Sequence, residues 1–333
     1  MTNTLNLSGF YTMIAALFLM LALGYFGGKI GIITSTASKN LSRLIINFGQ
    51  PALIVYSLVR MDYTEEYLLL GFELLGFGLI LHCILAVIAY LANFRFRDLN
   101  ERKLSEFAIV FGNVGFIGIP ILESLFGPLG AFMGAFFVVS FNLLLWSLGL
   151  SILARGRDDI KLTPKKIFLN LGTVPSAIGI LLFLAKGLLP PILPHGVSSV
   201  IGACAPAVLQ ALSFTASLCA PISTLIIGAL LATRSWKQIF GSGKIYYLCL
   251  IKLLVLPVLI VTLMWLLGFN QTWILFAAAV TAMPSATVVS MLAELYDISP
   301  GYSAQAVGVT SLLSLATMPI VISFAQWLTT VMR

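Results

Sequence analysis

The chain has 333 residues, of which 59% are hydrophobic and only 9% are charged, and its mean hydropathy is +1.04. A soluble domain carries roughly 25% charged residues, so lipid rather than water must surround most of this chain. The net charge of +7 comes from cations scattered over short loops. Without a basic patch that has interleaved aromatic residues, this charge does not indicate a nucleic-acid partner.

Ten apolar runs follow one another along the chain, each about long enough for one membrane-spanning helix. They cover residues 8–28, 40–59, 67–92, 104–126, 130–153, 166–189, 198–232, 245–268, 273–294 and 302–330. We therefore predict an all-α membrane protein with ten transmembrane helices, which is a multi-pass protein of the cell membrane embedded in the lipid bilayer. The runs at 198–232 and 302–330 are long for one span, so we expect tilt or an interfacial turn there.

Lysine and arginine are distributed asymmetrically between the loops. Of the 19 cations, 15 lie in loops after odd-numbered runs, three lie on the opposite side, and Lys252 lies inside the eighth run. Because cytoplasmic loops carry the excess of Lys and Arg, the odd-numbered loops are predicted to be cytoplasmic and both termini extracytoplasmic.

The chain divides near its middle at a short basic segment, 155–166. Five runs on each side give the halves 1–154 and 167–333 opposite orientations, as inverted repeats require. Proline landmarks agree with this division, since Pro51 in the second run corresponds to Pro221 in the seventh, and Pro120 in the fourth corresponds to Pro284 in the ninth. We therefore expect two inverted five-helix repeats joined by a cytoplasmic linker.

Two apolar runs are interrupted by residues that do not suit a helix interior. Residues 112–120 read GNVGFIGIP and residues 281–287 read TAMPSAT. Glycine and proline weaken or break helices, and irregular backbone at membrane depth is tolerated only inside protein or beside a cavity. Paired interruptions in the two halves point to a transporter's binding site. The predicted substrate-binding residues are Gly112, Asn113, Val114, Gly115, Thr281, Pro284, Ser285 and Thr287, with structural roles for Gly118, Pro120, Pro51 and Pro221.

The polar side chains in both interruptions are neutral, namely Asn113, Thr281, Ser285 and Thr287. A neutral site with many donors, beside exposed helix ends, suits a small organic anion with an apolar body better than a bare cation. An alternative for Asn113 is an amide that only satisfies the broken backbone. Ser285 and Thr287 could equally bond carbonyl groups of their own helix.

Several charged or titratable residues lie near the interruptions or inside the runs. Glu123 and Glu294 lie one to two turns beyond the interruptions and are candidates for gating. Lys252 could snorkel to the cytoplasmic face, pair with another group, or attract substrate. Glu73 is expected at the interface and His82 to be a packed histidine. The sequence contains no catalytic, phosphate-cradling or metal-ligand motif, so we expect no enzyme activity, no metal and no cofactor.

The segment 112–120 resembles the fourth-span motif of the auxin efflux carrier family, which includes bacterial permeases and the plant PIN carriers. Residues 282–285 (AMPS), 292–296 (LAELY) and 47–53 (NFGQPAL) are similar to its ninth- and second-span motifs. This family belongs to the bile-acid, arsenite and riboflavin transporter superfamily. The plant proteins have proline where this chain has Gly112, and many have a long central loop, so the resemblance is closest to a bacterial permease.

The resemblance implies a sodium/proton antiporter-like fold in which broken helices 4 and 9 cross. Scaffold and transport domains would interleave both repeats, move as an elevator, and form a homodimer. In the plant carriers the asparagine that matches Asn113 contacts the substrate carboxylate, and the crossover proline matches Pro284. Bacterial relatives are associated with malate, malonate and similar carboxylates.

Three functions are therefore weighed. The leading hypothesis is a secondary-active or facilitative carrier of a small organic anion, either a mono- or dicarboxylate or an auxin-like acid. The second is a sodium-coupled symporter of the bile-acid type, in which carbonyl and hydroxyl groups would hold sodium. The third is a membrane sensor without transport, which the lack of a soluble signalling domain argues against. Coupling to sodium or protons is left open.

Overall fold

The computed structural model describes residues 6–188, 195–233, 235 and 241–331, and these residues are almost entirely helical. The helices of residues 1–154 are α1 (Leu7–Lys29), α2 (Ser35–Leu44), α3 (Gln50–Val59), α4 (Glu65–Asn93), α5 (Leu99–Val110), α6 (Ile119–Phe126), α7 (Pro128–Leu144) and α8 (Leu150–Ala154). Those that follow are α9 (Pro164–Phe168), α10 (Thr173–Leu188), α11 (His195–Ser217), α12 (Cys219–Ala232), α13 (Gly243–Leu250), α14 (Leu256–Leu266), α15 (Gln271–Ala282), α16 (Thr287–Leu295) and α17 (Pro300–Val331).

Four short π-helical segments adjoin these helices. They are Ile45–Gly49 between α2 and α3, Val114–Gly118 before α6, Leu145–Gly149 between α7 and α8, and Ile251–Val255 between α13 and α14. In three cases the next helix has proline at its second position, namely Pro51, Pro120 and Pro257. Proline lacks an N–H and its ring clashes with the carbonyl four residues earlier, so the preceding turn widens instead of continuing as regular α-helix.

Six helices in the described residues are long and apolar enough to cross a membrane. They are Leu7–Lys29, Glu65–Asn93, Pro128–Ala154, Ala205–Ala232, Gly243–Leu266 and Pro300–Thr330. The segments Val114–Phe126, Thr173–Gly187 and Gln271–Ala282 are apolar but shorter. The chain therefore has the helices of a multi-pass membrane protein, while a count of ten spans stays a prediction.

Two predicted runs have different boundaries in the structure. The run predicted at 166–189 is split after α9, because the Asn170 side chain accepts hydrogen bonds from the amides of Gly172 and Thr173 (2.9 and 2.8 Å) and caps a new helix there. The run at 198–232 is two helices separated at Leu218. Pro221 follows three residues later and cannot donate to the carbonyl of Ser217, so the helix restarts.

Two groups of helices can be defined by their packing, and they contact each other where α7 lies against α3 and α10 and where α1 lies against α6. In the first, α1 packs along α12, and α3 packs against α10 and α11. In the second, α4 packs on α5 and α7, while α15 packs on α14 and α17. The contact of α1 with α12 is close. A Cβ added at Gly24 would clash with the backbone of Leu225, and one added at Gly228 would clash with that of Leu21. Small residues allow this approach of membrane helices, where packing rather than water drives association.

The two ends of the helical bundle carry different ion pairs. At one end the start of α1 contacts α6 through Asn6 N–H and Leu125 O (3.1 Å), and Arg60 pairs with Glu123. The end of α17 is also here, since the hydroxyl groups of Tyr11 and Ser323 lie 3.0 Å apart. The opposite end holds the pairs Lys244–Glu101, Arg155–Glu106 and Arg102–Glu106. Both described ends of the chain therefore lie at the end of the bundle opposite to these three ion pairs.

Candidate functional site

Both predicted interruptions are present, and they lie against each other. Helix α5 ends at Val110 and the next helical segment begins at Val114, while α15 ends at Ala282 and α16 begins at Thr287. Gly112 and Ser285 form an antiparallel bridge between the two breaks. The Asn113 N–H donates to Pro284 O (2.8 Å), and the Ala286 N–H donates to Phe111 O (2.9 Å). Each break thus supplies hydrogen bonds that the other's backbone has lost within its helix.

The sequence allows this contact through small residues at the first break. A side chain at Gly118 would lie 2.5 Å from Met283 Sδ and Cε, so Gly118 makes room for the second break. Pro120 occupies the second position of α6, directly after the π-helical turn Val114–Gly118, so its missing N–H falls where the helix has already widened. Pro284 lies inside the second break and uses its carbonyl to accept from Asn113.

Two hydroxyl groups of the second break, those of Thr281 and Ser285, already have partners. Thr281 Oγ1 donates to Ala277 O of its own helix (2.6 Å). Ser285 Oγ donates to Ala108 O of α5 (3.0 Å), and the Ser285 N–H donates to Thr310 Oγ1 (3.1 Å). Thr287 is half-buried at the first position of α16. Ser285 therefore joins the two broken helices, instead of bonding its own helix as the alternative predicted.

Asn113 differs from these hydroxyl residues because its amide nitrogen is not used. The residue is 2% exposed, and Nδ2 is buried without a hydrogen-bond partner. Burying an amide donor without a partner costs about 1–3 kcal/mol by protein mutational measurements, and such groups in native structures call for an explanation. Its backbone N–H is bonded to Pro284, so the broken backbone does not account for the side chain. The structure therefore leaves one strong donor available at the break.

Two helical segments begin at the contact between the breaks. One runs from Val114 to Phe126, and the other is α16, which starts at Thr287. The first amides of a helix lack partners within it and carry partial positive charge. Neither break contains an acidic side chain. Asn113 Nδ2 and the first amides of these segments are donors of the kind that can bind an anion.

Other polar residues near the first break come from distant parts of the chain. A side chain at Gly115 would lie 2.9 Å from Gln50 Nε2, so the Gln50 amide lies against the segment that begins at Val114. A small cavity of about 10 Å³, enough for one water molecule, is lined by Ile117, Thr224, Ser311 and other residues of α1, α6, α12 and α17. Ser311 Oγ is buried without a partner. Gln50, Thr310 and Ser311 are not among the predicted site residues, although each is a polar residue inside an apolar run.

Lys252 is a charged residue that lies beside the first break. It lies in the π-helical segment Ile251–Val255 and is 1% exposed. Its Nζ donates to Ile109 O (2.9 Å). A Cβ added at Gly112 would lie 3.4 Å from this Nζ, so the ammonium group adjoins the break. Of the three predicted alternatives, snorkelling to the surface is therefore wrong, because the ammonium group lies inside the protein.

The other titratable residues lie farther from the break or serve packing. His82 is 2% exposed among the rings of Phe111, Phe137 and Phe141, and its Nδ1 lies 2.6 Å from Gly78 O. Glu73 is exposed on α4. The aromatic surroundings of His82 fit the expected packed histidine.

The two candidate gating acids have different surroundings. Glu123 Oε1 accepts a hydrogen bond from Arg60 Nη1 (2.7 Å), which connects α6 to the residue after α3. Glu294 is exposed at the end of α16. The landmark prolines Pro51 and Pro221 lie near the starts of α3 and α12. These two starts are close together, since a Cβ added at Gly49, just before α3, would lie 2.9 Å from Cys219 Sγ.

These features define an α-helical membrane protein with two interrupted helices that meet at a buried polar site. The model of the membrane transport protein family matches residues 10–322 of this chain. The chain belongs to this family of membrane transporters, and the resemblance to auxin efflux carriers is confirmed.

The similar proteins found in curated collections are distant but match almost the whole chain. A protein of Methanothermobacter thermautotrophicus named Uncharacterized transporter is 24% identical over 93% of this chain and 96% of its own length. An uncharacterized transporter of Methanocaldococcus jannaschii is 23% identical over the same shares. A protein of Rhizobium meliloti named "Putative malonate transporter" is 24% identical over 90% of each chain.

Proposed function

We propose that this protein is a carrier for small organic anions that binds the substrate's carboxylate at the contact between the two helix breaks. The observation that carries the proposal is the buried, unpartnered Nδ2 of Asn113. A carboxylate would accept a hydrogen bond from this donor and from first-turn amides of the two helical segments, such as that of Thr287, but not from the Val114 N–H, which donates to Gly112 O (2.8 Å). Charge-assisted hydrogen bonds of this kind are the stronger ones in proteins.

The substrate class follows from the charge and polarity of the site. Several neutral donors can bind a carboxylate through hydrogen bonds, and the neighbouring Lys252 ammonium group carries the sign of charge that favours an anion. The relative from Rhizobium meliloti carries the name of a malonate transporter. Short mono- and dicarboxylates are therefore the first compounds to test, followed by larger acids with an apolar body, including auxin-like acids.

We further propose that the architecture is two inverted repeats whose broken helices cross. The contact of the segment Ile45–Gly49 with α12, beside Pro51 and Pro221, and the contact between the breaks near Pro120 and Pro284, each pair the two halves of the chain at corresponding positions. Fifteen of the 19 cations fall in the odd-numbered loops. By the positive-inside rule, these loops face the cytoplasm and both termini face the other side.

The mechanism we propose is elevator-type alternating access. The helices of the first group, α1, α3, α10, α11 and α12, would form a scaffold, and the second group would carry the breaks across the membrane. The cavity between the groups holds about one water molecule, so a carboxylate cannot enter there unless the groups separate. In the proposed mechanism, movement between the groups accompanies transport.

The test is uptake of labelled malonate and related carboxylates into proteoliposomes that contain the purified protein. Replacing Asn113 with alanine should lower the uptake of a verified substrate by about tenfold to a hundredfold, because a hydrogen bond to a charged group is worth roughly 1.5–3 kcal/mol. The matched control is Asn142→Ala. Asn142 is also buried, but its Nδ2 already donates to Val138 O (2.9 Å), so its loss should not change substrate affinity.

Two results would contradict the proposal. Unchanged affinity and rate in Asn113→Ala would remove the site assignment. Binding of carboxylates, measured as a thermal shift, with no flux under any gradient would favour the sensor hypothesis instead. Comparing uptake in sodium and choline media tests the sodium-coupled alternative in the same experiment.

A further inference from the structure

Lys252 is a charged side chain placed where membrane proteins rarely tolerate one. It is 1% exposed, and it lies near the middle of the apolar segment Gly243–Leu266. All twelve acidic residues of the chain are among those the structure describes, and none has a carboxylate oxygen within 4.0 Å of Lys252 Nζ. Since an ionisable residue at this depth is costly, it is expected to have a specific function.

The ammonium group lies where it can compensate the partial negative charge at the end of a helix. Its Nζ donates to Ile109 O (2.9 Å), and Ile109 is the next-to-last residue of α5. The last carbonyl groups of a helix lack partners within it and carry partial negative charge. Lys252 therefore places its positive charge at the C-terminal end of the first broken helix, on the side of the break opposite to the start at Val114.

Other carbonyl groups around the break receive hydrogen bonds from uncharged donors. Ala108 O accepts from Ser285 Oγ, Phe111 O accepts from the Ala286 N–H, and Pro284 O accepts from the Asn113 N–H. Ile109 O differs from these because its donor is an ammonium group. In carriers with broken helices, carbonyl groups at the C-terminal ends of half-helices are the ligands that hold a coupling sodium ion or proton.

We propose that the ammonium group of Lys252 acts as a tethered cation that takes the place of a coupling ion at the C-terminal end of α5. The proposal rests on the carrier function and adds its ion requirement. The wild-type carrier transports its anion without sodium, because the positive charge that sodium would bring is part of the chain. When the side chain is shortened, the vacated space accepts a small monovalent cation from solution.

The experiment compares three forms of the purified protein in proteoliposomes and in detergent. Wild-type uptake should be equal in sodium, potassium and choline media. Lys252→Ala should lower uptake in choline by about tenfold or more, as expected for the loss of a hydrogen bond from a charged donor. Ammonium, methylammonium or sodium should then restore a measurable part of it. Lys252→Met should be equally impaired without recovery, because its side chain fills the space.

A second measurement does not need a transported substrate. The Tm of Lys252→Ala in detergent should rise when choline is replaced by sodium or ammonium, while the Tm of the wild type should not change. The control is Lys244→Ala, which removes a lysine one helix earlier whose partner is Glu101 at the bundle end. Its Tm and uptake should not depend on which of these cations is present.

The outcomes separate this proposal from the carrier function. If the wild type moves none of the carboxylates, the proposed function fails, and the Tm comparison still decides whether Lys252 is a tethered cation. A wild-type uptake or Tm that depends on sodium would overturn the tethered cation. The wild-type measurements retain this power if Lys252→Ala does not fold. A folded Lys252→Ala protein that keeps full uptake, or that ignores all three cations, would overturn it as well.

Discussion

The two helix breaks satisfy each other's backbone, but their side chains are used differently. In the second break Thr281 donates to its own helix and Ser285 donates to α5, so the hydroxyl groups hold the structure together. In the first break the Asn113 amide nitrogen has no partner, and Lys252 occupies the end of α5. Under the proposed function, the first break supplies the side chain that binds the carboxylate, while the hydroxyl groups of Thr281 and Ser285 support the shape of the site.

The surroundings of the two breaks differ in the same way. The helical segment after the first break contacts α12 and α1, and Glu123 near its end pairs with Arg60 beyond α3. Helix α16, after the second break, packs against α17 and α5. The first break therefore borders the contact between the two groups of helices, where the proposed alternating access would require movement.

The strongest test of this comparison fixes the contact between the groups. In a background without native cysteines, Arg60→Cys and Glu123→Cys joined by a bifunctional thiol reagent should abolish transport, and a reductant should restore it. The wild-type side chains are in contact, with Nη1 and Oε1 2.7 Å apart. The control joins Asp62→Cys to Lys186→Cys, another ion pair (3.1 Å) in which both residues adjoin helices of the first group.

This control pair should cross-link without stopping transport, because α3 and α10 are expected to stay together. Full transport through protein cross-linked at residues 60 and 123 would contradict movement between the groups. Mass spectrometry measures the cross-linked fraction, so that incomplete reaction is not mistaken for activity.

The next test separates the roles of the two breaks. Ser285→Ala removes the donor to Ala108 O and should lower the free energy of unfolding by about 1–3 kcal/mol, the cost of a buried group left unpaired. The KM for a verified carboxylate should change little, because this hydroxyl faces α5 rather than the substrate. Asn113→Ala should show the opposite pattern, with a raised KM and no loss of Tm, because the amide it removes is buried without a partner.

Thermal unfolding and initial rates measured on the same preparations would establish the two patterns. A Ser285→Ala protein of normal stability with a tenfold higher KM would reverse the assignment, since it would put the serine rather than the asparagine at the carboxylate.

The location of the breaks could be predicted because the cause is local. Glycine and proline inside an apolar run conflict with a regular helix whatever the rest of the chain does, and residues 112–120 and 284 carry this signal. The split of the run at 166–189 was missed, because the run was assigned from hydropathy. The hydrogen bonds by which Asn170 caps α10 outweigh that pattern.

The partners inside the site could not be predicted because they come from distant segments. Thr310 and Gln50 reach the breaks from α17 and α3, and a single sequence does not specify which helices are neighbours. The direction of Lys252 was equally open. It depends on the π-helical turn before Pro257 and on the packing of α5, and neither can be derived from apolar periodicity.

The smallest expected effect is the coupling energy between Gly118 and Met283, which lie in contact between the two breaks. A side chain at Gly118 would lie 2.5 Å from Met283 Sδ, so Gly118→Ala should lower the free energy of unfolding by roughly 1 kcal/mol, toward the low end for overpacking because the methionine end is flexible. Met283→Ala leaves a cavity and should cost more, about 2–5 kcal/mol. If the two side chains compete for one space, the double variant should be more stable than the sum of the single effects predicts, by about 0.5 kcal/mol or more. Chemical unfolding of the four proteins measures this coupling. Strict additivity would mean that the breaks are held together by their backbone hydrogen bonds, with no contribution from the fit of Met283 onto Gly118.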